Sequence, residues 1–476
     1  MVCAASGATN VDARAGRAYD AGRRRPRMDA IRLFRSLLDR DLPRWRDSVP
    51  VLRTRLRELR ARYGDRELVR TLRPKFLSES EYAEIEYVCG VLSGATRRLA
   101  DRILAEPALR AFLEVSEGEA RLFAPEPLVP DPAPFTRWDS FLGPDGPRFV
   151  ELNAENPAGA GYADAISAAF EEHPLTAEIR RRTGGRFLPM REAVLHDLLL
   201  AWRAAGKTSA PRILITDYLD LPTVDEFYIL RDYFRARGFR CEVEDPRRLD
   251  YVDGRLIAHG APFDLVYRRV LVNEFLARES EVRPLFEAYR DRAIAMVNPF
   301  RCKLLHKKTL FALLTGDGPA GAEWMTAEEK RVVARHVPWT RKVRETKTEV
   351  DGRTVDLLQY LLLQRERVVL KPADDYGGRG VTLGWAVDRA TFEDVLLEAT
   401  KGHWVAQLRV ATTDEPFPLF DRDLEDAPMT VDLDPYVHFG RVRGTLARLA
   451  AGAISNVTSG GGQVPVLVIP ADGVSP

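Results

Sequence analysis

A mixed fold is predicted, α/β in the middle of the chain and α+β towards its C-terminal end, behind a helical block. Three observations carry this. Apolar residues recur at helical spacing through residues 28–124. Strand, helix and strand patterns alternate through residues 206–297, the rhythm of a parallel, Rossmann-like layer. From residue 298 onwards, short apolar strands are separated by glycine-rich turns.

The bulk numbers fit several domains and exclude some partners. A chain of 476 residues exceeds one small core. Its 45% hydrophobic and 30% charged residues are the composition of a globular protein. The net charge of +1 provides no field for nucleic acid or an acidic membrane surface. No run of eighteen apolar residues occurs, so no transmembrane helix is expected. Cys3, Cys89, Cys241 and Cys302 are scattered and form no CxxC pair, which points to a reducing, cytoplasmic setting.

The elements follow in order. Residues 1–27, rich in Ala, Gly and Arg, are expected to be a disordered basic extension, or a stretch upstream of a chain that begins at Met28; a transit peptide and a nucleic-acid tail are the alternatives. Residues 28–124 form the helical domain. Ile31, Phe34, Leu38 and Leu42 share one face, and Ser78 with Glu81 makes a capping box before Tyr82, Ile85, Cys89 and Leu92. Five prolines between Pro125 and Pro134 end that block. A hairpin and helices fill residues 125–205. The alternating layer, 206–297, has strands in "RILITDY", "FRCEVEDP" and "FDLVYRRV". No GxGxxG follows its first strand, so a dinucleotide site is not indicated. Residues 298–476 form the α+β portion.

The hairpin carries chemistry. Gly143 to Pro147 is turn sequence, and a turn centred near Asp145 sets Asp139 opposite Glu151 and Arg137 opposite Asn153. With a period of two, all four side chains share a face. Opposed carboxylates repel. A divalent cation would reconcile them, because two carboxylates and an amide are hard oxygen donors of the kind Mg²⁺ accepts. A solvated polar edge would also accommodate them.

In "KPADDYGGRG", Gly377, Gly378 and Gly380 would let backbone N–H groups approach an anion, with Lys371 supplying charge and Arg379 on the tip. A mobile hairpin with a lysine in its stem fits the same letters. Gln407 lies in the strand "VAQLRV". Arg448 sits in apolar "LARLAA" and needs an anionic partner, phosphate or carboxylate.

The order of these segments resembles the circularly permuted ATP-grasp proteins, typified by glutathionylspermidine synthetases. The resemblance runs from the R-x-D…E-x-N hairpin through "DLVYRR", the lysines after "NP", the "LKP…GGRG" loop and "VAQ". It implies an ATP-grasp fold with a Rossmann-like pre-ATP-grasp domain at 206–297 and the nucleotide-binding half at 298–476. It further implies ATP and Mg²⁺ as cofactors, with Asp139, Glu151 and Asn153 as metal ligands and Arg137 on the γ-phosphate. Lys308, with its neighbour Lys307 as the alternative, and Lys371 would contact phosphates. Arg379 would cover the reacting groups, Gln407 would mark the adenine side, and Arg448 would be the C-terminal arginine. The implied activity joins a small-molecule or peptide carboxylate to an amine-type nucleophile through an acyl-phosphate. A phosphotransferase of the same fold and a non-catalytic nucleotide-binding scaffold are the alternatives.

Overall fold

The computed structural model describes residues 9–143, 145–375, 378–451 and 462–472, with side chains from residue 25. Helices Thr9–Arg40 and Leu42–Glu58 come first. Residues 9–27 are therefore helical rather than disordered. Alanine and arginine both favour helix, and the same helix buries Phe34 and Leu38 further along. The 27-residue helix Glu79–Ala105 opens on the expected capping box, in which the Ser78 hydroxyl accepts from the Glu81 N–H.

This N-terminal block does not stand apart as a domain. Its strand Lys75–Ser78 pairs in parallel with Val466–Ile469 near the C-terminal end. Ile85, Val88 and Leu92 share one core with Trp138 and Phe149 of the hairpin and with Met429. A helical stripe needs an apolar surface to cover, and that surface is supplied by strands distant in sequence.

The middle of the chain forms a four-stranded parallel sheet in the order Ala295–Val297, Leu265–Arg268, Ile213–Thr216, Cys241–Glu244. Three of these are the expected strands. The fourth, Ala295–Val297, has only three residues, too short to register as a pattern. Every residue of Ile213–Thr216 and Leu265–Arg268 is buried, as parallel strands covered on both faces require.

Two larger antiparallel sheets carry the remaining strands that matter for the site, alongside smaller antiparallel ribbons such as Lys347–Val350 with Arg353–Asp356. In the larger, the hairpin strands Phe135–Gly143 and Gly146–Asn153 lie beside Asp426–His438, followed by Arg441–Ala450 and Gly462–Val464. The hairpin thus joins strands nearly three hundred residues later in the chain. The smaller sheet runs Thr340–Lys342, Trp404–Leu408, Val368–Pro372, Thr382–Leu383. Leu361 and Phe392 from two covering helices pack on its Val368 and Leu370.

Candidate active site

The hairpin has the register expected from its turn. Asp139 pairs with Glu151 and Arg137 with Asn153, and the register shifts immediately after Asp139. Gly146 closes the turn at φ 98°, a conformation that favours glycine.

Asp139 is buried and enclosed by donors. Arg137 reaches it with two N–H groups, Nε at 2.8 Å and Nη2 at 3.0 Å. Asn153 Nδ2 donates at 2.9 Å and Arg448 Nη2 at 2.8 Å. Burial opposes the charge on Asp139, but Arg137 and Arg448 outweigh it and hold the carboxyl below its ordinary range.

Arg448 has the anionic partners that its apolar surroundings demand. The register sets Asp432 directly opposite it, and Asp434 follows two residues later on the same face. The guanidinium lies 2.7 Å from Asp432 and 2.9 Å from Asp434. Burial pushes Asp432 up to about 6 against the pull of Arg448, and it raises Asp434 well above the usual carboxylate range. Neither aspartate was singled out in the sequence. The period-two "VDLDPY" facing "LARLAA" was the signal, but reading it requires knowing that these strands pair.

The two neighbouring lysines point in different directions. Lys308 Nζ lies 3.2 Å from Glu151 and donates to the Asp375 carbonyl. Lys307 instead reaches Glu119 at 2.8 Å and the Glu114 carbonyl at 3.0 Å. Lys308 therefore faces the hairpin, and Lys307 ties down the N-terminal block. Lys371 donates to Gln407 Oε1 at 2.7 Å, and Gln407 in turn donates to Thr340 at 3.1 Å. Burial lowers the Lys371 ammonium to about 8, although Glu151 pulls the other way.

A cavity of about 550 Å³ brings these segments together, within the usual range for small-molecule sites. Arg137, Asp139, Glu151, Asn153 and Arg448 line it from the large sheet. Lys308, Lys371, Gln407, Gly378 and Arg379 line it from residues 298–476. Gly380 does not line it. At φ 67°, a conformation that favours glycine, an added Cβ would stand 2.7 Å from Pro372, so the turn leaves no room for a side chain here. Gly377 lies outside the described residues. His306, Asp217 and Arg269 also line the cavity; none was singled out from the sequence, although Arg269 ends the "DLVYRR" segment.

Among the described residues, no three His, Cys, Asp or Glu side chains are arranged to hold a metal ion. Mg²⁺ needs fewer protein ligands than that, being commonly held by one or two carboxylates and completed by phosphates and water. Asp139, Glu151 and Asn153 all line the cavity and carry oxygen donors, but to hold such an ion Asp139 would exchange one of the N–H donors it takes from Arg137, Asn153 and Arg448.

No family model matches the chain. It is 26% identical over 358 residues to "Putative glutamate–cysteine ligase 2-2" of Frankia casuarinae, a match taking in 68% of this chain and 37% of that protein's length. Among solved structures, it resembles a glutathione synthetase-like effector from Globodera pallida in its apo form. That match has a TM-score of 0.54 at 12% sequence identity, covering 88% of this chain and 97% of the other. The chain therefore shares the overall fold of that glutathione synthetase-like effector.

Proposed function

We propose that the chain is a circularly permuted ATP-grasp ligase that joins a carboxylate to an amine at the expense of ATP. The observation that carries this reading is convergence. Carboxylates near residue 150, lysines near 308 and 371 and the glycine loop after 375 meet on one cavity. The hairpin carrying the carboxylates precedes Lys308 and Lys371 in the chain, the order expected of a permuted arrangement. The relative named as a glutamate–cysteine ligase agrees with ligation.

In this reading, a carboxylate oxygen of the substrate attacks the γ-phosphorus of ATP, and the bond to ADP breaks. The amine nitrogen then attacks the acyl carbon, a C–N bond forms and phosphate leaves. Lys308 and Lys371 place charge against the phosphates, and Arg137 and Arg379 meet the charge that develops in transfer. Asp139, Glu151 and Asn153 would hold Mg²⁺, which supplies charge neutralisation between the phosphates when bound. No nucleic-acid or membrane partner is proposed, and among the described residues no helix is long and apolar enough to cross a membrane. Cys89, Cys241 and Cys302 are free thiols, consistent with a cytoplasmic setting.

The test is ATP binding. ATP should raise the melting temperature in the presence of Mg²⁺, and chelation should remove most of the shift, because a ligand that binds only the native state stabilises it. Equal shifts with and without the metal would sink the hairpin assignment. Mass detection of products from pooled acids and amines then separates an amide from a phosphorylated acceptor.

Arg379 provides a sharper test of mechanism. An interaction made mainly in the transition state lowers kcat and spares affinity. Arg379→Ala should bind ATP nearly normally yet turn over at least about tenfold more slowly, roughly 1.4 kcal/mol of barrier. Wild-type turnover would leave the arginine without a role.

A further inference from the structure

The cavity has a second wall that the phosphate chemistry does not use. Asp217 and Arg269 each follow the last residue of a strand in the parallel sheet, and those strands are neighbours with Thr216 paired to Arg268. The Arg269 N–H donates to the Thr216 carbonyl at 2.8 Å, which fixes the two strand ends side by side. Ligands in open parallel sheets bind at this carboxyl edge. Both residues line the cavity, at 3% and 1% exposure.

The polar groups here are incompletely satisfied. Arg269 reaches the Tyr267 hydroxyl at 2.9 Å, the Pro157 carbonyl at 3.3 Å and Glu226 at 3.5 Å. Its Nε has no hydrogen-bond partner among the described residues, although it is buried. Asp217 accepts from the Tyr218 N–H at 2.9 Å. A buried guanidinium N–H left open beside a buried carboxyl on one cavity calls for a ligand that carries both an anionic and a cationic group.

We infer that this edge binds the head of a free α-amino acid, with the ammonium against Asp217 and the carboxylate against Arg269. The inference rests on the ligase reading, for which it supplies the amine substrate. Glu274, also on the cavity, adds a second carboxylate on the ammonium side. Asp217 has a further property consistent with this. Burial pushes its carboxyl up to about 7 even though Arg269 pulls it down, so an arriving ammonium would relieve an imperfectly compensated charge.

The twenty protein amino acids should be screened individually by thermal shift and calorimetry, with and without ATP and Mg²⁺. At least one should bind. Its α-hydroxy acid, lacking the ammonium, and its α-carboxamide, lacking the carboxylate, should each bind at least tenfold more weakly. Asp217→Asn should lose at least tenfold in amino-acid affinity with ATP affinity unchanged. Because Arg269 is buried and its variants can fail to fold, the ligand series on the wild-type protein tests that half of the site. No response to any amino acid, or equal binding of the hydroxy acid, overturns the subsite. An ATP response without an amino-acid response removes the subsite alone. An amino-acid response without an ATP response keeps the subsite and removes the ligase reading.

Discussion

Arg448→Met should destabilise the protein by about 3–5 kcal/mol at pH 8, the usual cost of removing one partner from a buried ionic cluster. The variant keeps the packing of the side-chain stem and removes its charge. It leaves Asp139, Asp432 and Asp434, all buried, with Arg137 as the nearest remaining counter-charge. The pH dependence follows from the directions of the shifts. Asp432 and Asp434 already have raised values in the folded protein, and their contribution to stability is present in acid and lost as pH rises through about 6 for Asp432. Without Arg448 these values rise further, so the penalty should shrink on acidification from pH 8 to pH 5.5. Asp139 has the opposite sign, since its depressed value stabilises the fold above the ordinary carboxylate range and is lost only in stronger acid. Urea denaturation at the two pH values measures the difference. A variant as stable as wild type at pH 8 would show that the cluster is not held together by this arginine.

Lys371→Ala should weaken ATP binding by about 10- to 100-fold, or roughly 1.5–3 kcal/mol, the range for a hydrogen bond to a charged group. The fold should survive, because burial already works against this ammonium in the native state. The wild-type protein should show its own signature. With the ammonium near 8, the charge is lost as pH rises through that value, and ATP affinity should fall there well before an ordinary lysine would titrate. The alanine variant should lack this step. Calorimetry across pH 6.5–9 reads both effects, and unchanged affinity would make Lys371 a structural partner of Gln407.

The hairpin was legible because everything that sets its register is local. The turn residues and a period of two suffice to oppose Asp139 to Glu151. The parallel sheet was legible for a similar reason, since each strand announces itself as a buried apolar run. What the letters concealed depends on pairing across the chain. Asp432 is unremarkable until its strand lies between the hairpin and Arg448. Asp217 and Arg269 acquire meaning only when two strand ends fifty residues apart become neighbours. Lys307 and Lys308 likewise part company only once Glu119, a residue of the N-terminal block, stands beside Lys307. Gly380 has a second reason to be glycine that the letters do not separate from the first, since its left-handed backbone in a tight turn requires one whether or not an anion approaches.

The pairing of Lys75–Ser78 with Val466–Ile469, and of the hairpin with Asp426–His438, has a consequence for biosynthesis. The hairpin leaves the ribosome roughly 270 residues before the strand that covers its open side. At about 5–20 residues per second, that edge stands exposed for on the order of ten seconds to a minute. An unpaired edge backed by Trp138 and Phe149 is a template for pairing with another nascent chain. Slow elongation or a premature stop before Asp426 would prolong that interval, so yield in a heterologous host should depend on translation speed and holdase chaperones more than on the stability of the finished protein.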